Sequence, residues 1–309
     1  MQDEQSNIKK FAVTVGIPVY NEEKNITQLL MSLLQQKGEQ FYIDQIVISS
    51  DGSTDQTIQK IKLVADTHKR VKVIENKKRM GIARGLNQIV YEASGDILVL
   101  LDGDIRILDM QFVEKLIAPI IEKKADLTSA SISEAKPKTV FAQILLVSMK
   151  LKSKLFKELN HGNNIYTCHG LARAFSARFY KTLRFPISIG NDMYSYLLCI
   201  SQGLTYLYVP QAVVWYQLPD NFVDHQKQST RFFVTEKEQS KIFSDEFIKS
   251  HTKIPYSMYL KAAFKALPIL LQYPFHVIGY VFIQLYMKIK SSTMSQKETW
   301  DIAVSSKSI

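Results

Sequence analysis

Ser94-Gly95-Asp96-Ile97-Leu98-Val99-Leu100-Leu101-Asp102-Gly103-Asp104-Ile105-Arg106-Ile107 is the stretch that decides the fold. Its apolar run, Ile97 to Leu101, is too short for a helix and lacks period-two alternation. It therefore reads as a strand buried on both faces of a parallel sheet. The run ends on Asp102-Gly103-Asp104, two carboxylates at i and i+2 where the chain leaves the sheet. Open α/β sheets bind ligands outside the carboxyl ends of their strands. Hard carboxylate oxygens at that edge suit Mg²⁺ or Mn²⁺, which can bridge to phosphates. In isolation the same residues read equally as an Asp-Gly turn, so the flanking chain must decide.

Upstream, Phe11 to Tyr20 reads as a first strand that ends near Pro18, because proline cannot donate to a ladder. Asn21-Glu22-Glu23-Lys24-Asn25 opens a helix, capped by Asn21 or Asn25, with Ile26, Leu29, Leu30, Leu33 and Leu34 as its stripe. Ile43 to Ser50 is a second strand, and Asp55 or Ser53 in the polar loop behind it can cap the next helix. Val71 to Glu75 is a third strand, and Gly81 to Ala93 a helix with Ile82, Leu86, Ile89 and Val90 on one face. Strands alternating with helices give a doubly wound parallel sheet. The polar ends after Val19, Ser50 and Leu101 then open on one edge, where nucleotides bind. No Gly-rich turn follows strand one and no Walker A lysine motif occurs, so a diphosphate held here needs other means, and Asp-x-Asp with a metal is what the chain offers.

Composition narrows the class. The 309 residues, 46% of them hydrophobic, suffice for one large α/β domain with an appendage or two small domains. Two cysteines, Cys168 and Cys199, make no disulfide framework and fit a reducing compartment; Cys168-His169 has no second cluster at metal spacing and reads as structural. The start, MQDEQSNIKK, lacks the apolar core of a signal peptide, so the first half is expected to stay in the cytoplasm. Residues 1–130 carry 17 positive and 18 negative side chains, and residues 131–309 carry 22 and 11. A second half at +11 calls for an acidic partner, phospholipid or a diphosphate. Nucleic acid is not expected, since no motif for it accompanies the charge.

Three segments in this order, Ile17 to Glu23, Ser50 to Asp55 and Asp102 to Asp104, resemble the family 2 glycosyltransferases of the GT-A fold. The resemblance implies an α/β fold with a Rossmann-like, mostly parallel sheet flanked by helices. It implies an inverting transfer from a nucleotide-diphospho-sugar, with UDP as the expected nucleotide. Pro18, Tyr20 and Glu22 would line the nucleotide pocket, Asp51 bind the base, Asp102 the ribose, and Asp104 the metal on the diphosphate. Ser50 departs from the pattern, standing where the family often has another Asp. By the same resemblance, His169 and Gly170 belong to the segment that shapes the acceptor side, and Asp192 of Asn191-Asp192 is the candidate base. Capping of its own helix is the plainer role for Asp192. Gln228-Ser229-Thr230-Arg231-Phe232 resembles the Gln-x-x-Arg-Trp motif with Phe232 for Trp, which assigns Arg231 to the diphosphate and Gln228 and Phe232 to the acceptor.

The chain divides on this reading into a tail (1–10), a nucleotide-sugar-binding half (11–130), an acceptor-binding half (131–252), a C-terminal apolar membrane-associated helical segment (253–290) and a tail (291–309) expected to be mobile. Lys136 to Leu159 has helical apolar spacing beside Lys150, Lys154 and Lys157, either a solvated basic face or a helix against anionic lipid. Ala266 to Met287 contains 22 residues without a charge, but Pro268, Pro274 and Gly279 interrupt it. A kinked interfacial or re-entrant element is expected, with a single span and a buried core helix as the other options. The family core is complete near Phe232, so truncation after Thr252 should leave nucleotide-sugar binding intact. The sequence therefore reads as a glycosyltransferase on the cytoplasmic side of the cell membrane, serving a lipid-linked or polysaccharide acceptor. A nucleotidyltransferase making a nucleotide-sugar and a non-catalytic membrane adaptor are the rivals; release of free nucleoside diphosphate separates them.

Overall fold

A computed structural model describes residues 9–187, 190–291 and 303–307. The strands are β1 (Phe11–Val19), β2 (Phe41–Ser50), β3 (Val71–Glu75), β4 (Ile97–Leu101), β5 (Ile105–Arg106), β6 (Leu127–Glu134), β7 (Ala172–Ser176) and β8 (Tyr206–Tyr216). They form one sheet in the order β3-β2-β1-β4-β7-β6-β8-β5. Pairs β1–β2, β1–β4, β2–β3 and β6–β8 are parallel. β7 is antiparallel to both β4 and β6, and the two-residue β5 is antiparallel to β8. One sheet thus carries both halves of the chain, and β6 runs through residue 130.

The first half matches the sequence reading closely: β3 and β4 have the expected bounds, and the helices are α1 (Ile26–Leu34), α2 (Thr57–Thr67), α3 (Ile82–Glu92) and α4 (Phe112–Ile121). The unbroken apolar run of β4 has a direct cause. Ile97, Val99 and Leu101 enter the core under α1 and α4, while Leu98 and Leu100 enter a second core with Leu86, Ile89 and Val90 of α3. A strand between two cores needs apolar residues on both faces. Gly16 of β1 faces α3 so closely that an added Cβ would lie 2.1 Å from Ile89 Cγ2. Of the expected α3 stripe, Ile82 is exposed; Ala83 and Gly85 are buried in its place.

The second half adds α5 (Val140–Glu158), α6 (Ala177–Tyr180), α7 (Asn191–Ser201), α8 (Phe222–Gln239), α9 (Asp245–Thr252), α10 (Tyr256–Gln272) and α11 (Pro274–Ser291). α10 and α11 pack on α5; Gly279 meets Ile144 so closely that a Cβ would lie 3.1 Å from its Cδ1. Among the described residues no single helix is long and apolar enough to cross a membrane. The pair Asp245–Gln272 and Pro274–Ile289, bent by 116°, meets that length and composition only together. The mobile tail expected over 291–309 needs revising where it is described: residues 303–307 pack against the loop after β1 and the start of α8.

Candidate functional site

Because β1, β2 and β4 are parallel neighbours, their carboxyl ends bring three polar loops to one edge. The loop after β1 is laced to the loop after β2. Asn21, at φ 55, takes the left-handed conformation that Asn tolerates better than most residues. Its Oδ1 accepts from the Thr54 amide (2.8 Å), and its own amide donates to Ser53 Oγ (3.1 Å). The Glu22 amide donates to Thr57 Oγ1 (2.7 Å) and the Glu23 amide to Asp55 Oδ2 (3.2 Å). Asp55 also accepts from the Thr57 amide (3.0 Å), so it does order the start of α2.

Asp51 faces a third segment. Its Oδ1 accepts from the Met80 amide (2.6 Å) and its Oδ2 from the Gly81 amide (2.9 Å), which ties the 76–81 loop to the end of β2. Gly52 is required beneath it: at φ +72, an added Cβ would come within 2.8 Å of the Lys78 carbonyl carbon. The same loop lays the Arg79 guanidinium 4.3 Å from the Tyr20 ring centroid. A cleft of about 540 Å³ lined by Met80, Arg84, Asn87 and Gln88 has none of the expected acids in its lining.

The Asp-x-Asp loop sits between the donor-side loops and α7. The Asp102 amide donates to the Leu171 carbonyl (3.0 Å). Gly103 packs on the first loop, an added Cβ meeting Glu22 Cγ and Val19 Cγ1 at 3.0 Å each. Across from it, a Cβ on Gly170 would lie 3.8 Å from Asp102 Oδ2, 3.9 Å from Asn191 Oδ1 and 3.9 Å from Asp192 Cβ. Gly170 is thus the narrow floor between the Asp-x-Asp loop and the start of α7. Glu22 is buried, and its carboxyl is pushed up to about 7, first by burial and then by the charge of Asp104. The Lys307 ammonium, donating to Glu22 Oε1, pulls the other way.

Asp192 lies in the first turn of α7, where its Oδ1 accepts from the Met193 amide (2.9 Å). His169 is half-buried near it and held down at about 4, chiefly by burial, with Lys157 and Arg173 adding and Asp192 opposing. It is therefore uncharged at neutral pH. Cys168 is buried and its thiol is pushed up to about 12 by that burial, which fits a structural residue. Gln228 Nε2 donates to Ser306 Oγ (3.0 Å). Pro18 lies within β1, paired with Ser49. Arg231 and Phe232 belong to α8 by backbone, but their side chains lie outside the described residues.

Glycosyl transferase family 2 matches residues 14–183, more than half of the chain. The chain belongs to that family. It is 24% identical over 192 residues to Glycosyltransferase GlyA of Streptococcus pneumoniae, a match covering 59% of this chain but only 27% of that protein. It is 26% identical over 212 residues to an uncharacterized glycosyltransferase of Haemophilus influenzae, covering 68% of this chain and 78% of the relative. In three dimensions it resembles the mannosyltransferase PcManGT of Pyrobaculum calidifontis, solved with GDP-Man and Mn²⁺ (TM-score 0.65, 16% identity, 92% of this chain and 86% of that one). That likeness shows the GT-A fold of this family 2 member.

Three cations beside these loops were not singled out from sequence. Arg173, on β7 opposite Leu100, is 1% exposed. Its Nη1 donates to the Asn191 carbonyl (2.9 Å) and Ser195 Oγ (2.7 Å), and its Nη2 to Asn191 Oδ1 (2.5 Å). A buried guanidinium therefore fixes the start of α7, and Asp192 with it. The available signal was a lone charge inside the apolar run Leu171-Ala172-Arg173-Ala174-Phe175. Arg79 and Lys307, which reach the first loop from other segments, carried no periodic or motif signal.

Proposed function

We propose that this chain transfers a sugar, with inversion, from a nucleotide-diphospho-sugar to a hydroxyl of a lipid-linked or polysaccharide acceptor at the cytoplasmic face of the membrane. UDP is the nucleotide that family resemblance favours; the GDP-Man bound by PcManGT makes GDP the comparison to run. The observation that carries the reading is the convergence at Gly170. The donor-side acid Asp102 and the expected base Asp192 flank one glycine, at 3.8 and 3.9 Å from a Cβ placed there. That is the juxtaposition an inverting transfer needs, donor on one wall and deprotonating group on the other.

Tyr20, Glu22 and Asp51 line the donor side on this reading, with Pro18 setting the end of β1. A divalent ion, Mg²⁺ or Mn²⁺, fits Asp104. Glu22 is raised first by burial and then by the charge of Asp104, so the two carboxylates are near enough to interact, and the Lys307 ammonium pairs with Glu22. Among the described residues no three His, Cys, Asp or Glu side chains form an enclosing cage. Asp104 would therefore share the ion with phosphate oxygens and water, as Mg²⁺ sites commonly do. When bound, the ion would neutralise charge on the departing diphosphate. Asp192 accepts the proton of the attacking hydroxyl, and uncharged His169 and Gly170 shape the acceptor wall. Arg231 adds charge at the diphosphate, and Gln228 and Phe232 face the acceptor sugar.

The membrane reading is supported by α10 and α11, which expose Phe264, Leu271, Phe275, Phe282 and Ile289. Lys150 and Lys152 of α5 lie 6.0 and 5.3 Å from the Tyr273 and Tyr280 rings, the mixture of rings and lysines that suits a head-group boundary. The test is calorimetry of UDP and GDP with Mn²⁺ or Mg²⁺, followed by detection of free nucleoside diphosphate when the matching nucleotide-sugar turns over. Asp104→Ala should abolish metal-dependent binding and turnover. Undiminished metal-dependent binding in that variant would sink the assignment.

A further inference from the structure

The segment 303–307 bridges the two walls of the site. On one side, the Asp220 amide donates to Ser305 Oγ (3.1 Å), the Ser305 amide to Asp224 Oδ2 (2.9 Å), and Gln228 Nε2 to Ser306 Oγ (3.0 Å). These contacts fix the segment to the start of α8. On the other side, Lys307 reaches the loop after β1. Its Nζ donates to the Tyr20 carbonyl (2.5 Å), the Asn21 carbonyl (3.4 Å) and Glu22 Oε1, and its own carbonyl accepts from Asn25 Nδ2 (2.8 Å). The Lys307 side chain is mostly buried there, 19% exposed.

We propose that residues 303–307 form a clasp on the donor loop, and that Lys307 is a positioning residue for the nucleoside diphosphate; this rests on the proposed donor site. The chemistry is specific to the loop it holds. Residues 20–22 turn through a left-handed Asn21, which leaves the carbonyls of Tyr20 and Asn21 without helix or ladder partners and directs them to one ammonium. Lysine offers three donors on a flexible stem, and two carbonyls and a carboxylate use them. The loop so held contributes Tyr20 and Glu22 to the pocket and packs Glu22 against Gly103 of the Asp-x-Asp turn. The clasp therefore sets the spacing between the donor loop and the two acids that follow β4. Its anchorage on Asp224 and Gln228 makes donor-loop geometry depend on α8, the helix that also carries Arg231.

The experiment compares the full chain with Lys307→Ala and Lys307→Arg by two readouts. Calorimetry measures binding of UDP and GDP with Mn²⁺, and hydrogen exchange of the nucleotide-free protein measures protection of the amides of residues 20–25. Lys307→Ala should weaken nucleoside diphosphate binding roughly tenfold, because a released loop must be ordered again when the nucleotide binds, and speed exchange in the loop. Some thermal stability is lost with the buried ion pair, so both readouts are taken well below the variant's Tm, and Lys307→Arg should restore most of both effects. Loss of one positive charge would weaken anion binding by itself, so unchanged exchange at 20–25 overturns the clasp. Tighter nucleotide binding in Lys307→Ala overturns it too, since the segment would then be a plug that the donor displaces. Equal binding in the two proteins would leave only a surface contact and also overturns it. A wild-type chain that bound neither nucleotide would bring down the underlying function instead.

Discussion

Arg173→Met tests whether the acceptor side of the site is held from inside the sheet. The guanidinium is 1% exposed and makes three hydrogen bonds, two of them to Asn191 at the start of α7. Hydrogen bonds to charged groups contribute about 1.5–3 kcal/mol each. Methionine fills part of the volume and removes a buried charge, which offsets a share of that loss. Ser195 Oγ keeps its bond to the Asp192 carbonyl (2.9 Å), whereas the Asn191 carbonyl loses the Arg173 donor. A net destabilisation of about 3 kcal/mol follows, equivalent to a fall in Tm of about 5 °C for a chain of this size. The functional consequence should be separable from the thermal one. With α7 untethered, Asp192 shifts relative to Asp102, and a displacement near 1 Å costs about 100-fold in turnover. Donor binding, built on β1, β2 and the 76–81 loop, should survive. The assays are scanning fluorimetry, nucleoside diphosphate release, and calorimetry of the nucleotide, all well below the variant's Tm. Normal kcat in a protein that has lost the stability would show that Arg173 supports the fold alone. An equal loss of nucleotide affinity would refute the division between donor and acceptor walls.

Asp192→Asn keeps the shape and the local acceptor, and should lower turnover by roughly 10²–10⁴ with nucleotide affinity unchanged; near-normal turnover would place the base elsewhere. His169 is held at about 4 in the folded chain against an ordinary 6.5, so only the unfolded chain takes up its proton between those values. The wild type should therefore lose stability relative to His169→Gln as pH falls from 6.5 toward 4, with no divergence above pH 7; parallel urea midpoints across that range would refute it. Phe264→Glu with Phe275→Glu should lower co-sedimentation with anionic phospholipid vesicles about tenfold or more at constant nucleotide binding, because both rings are exposed on α10 and α11. Unchanged sedimentation would leave only the lysines as the membrane contact.

The donor half was legible because its signals are local. Buried parallel strands are short apolar runs, and Ile97 to Leu101 and Val71 to Glu75 carry that mark with little ambiguity. The three polar strand ends follow once the strands are parallel. The second half was harder for a physical reason. β7 reverses direction between β4 and β6, and nothing in Ala172-Arg173-Ala174-Phe175-Ser176 announces an antiparallel partner. β8 contains Pro210 and a register shift against β6, which disguises an 11-residue strand. Arg173 stood out only as a lone charge in an apolar run, and its role, like that of Lys307, depends on partners 18 and 285 residues away respectively. A charged side chain read alone in sequence is assigned to solvent, and only the fold shows what neutralises it.

That distance also changes how the C-terminal region should be dissected. Counting motifs, the catalytic core closes near Phe232, and everything after Thr252 looks removable from the donor site. Lys307 on the Tyr20 and Asn21 carbonyls shows that the same stretch of chain reaches the donor loop. Truncation after Thr252 would remove α10, α11 and the Lys307 contact together, so lost activity on a membrane-borne acceptor would no longer separate membrane attachment from donor binding. The two can be parted only by substitution. The rings of Phe264 and Phe275 are exposed on α10 and α11, whereas Lys307 is held on the loop after β1. If the ring variant loses vesicles but keeps nucleotide, while Lys307→Ala loses nucleotide but keeps vesicles, the region holds two independent devices. If either substitution moves both readouts, α8 is the element to suspect. It touches both, through Phe222 against Tyr286 at 5.2 Å and through Gln228 on Ser306.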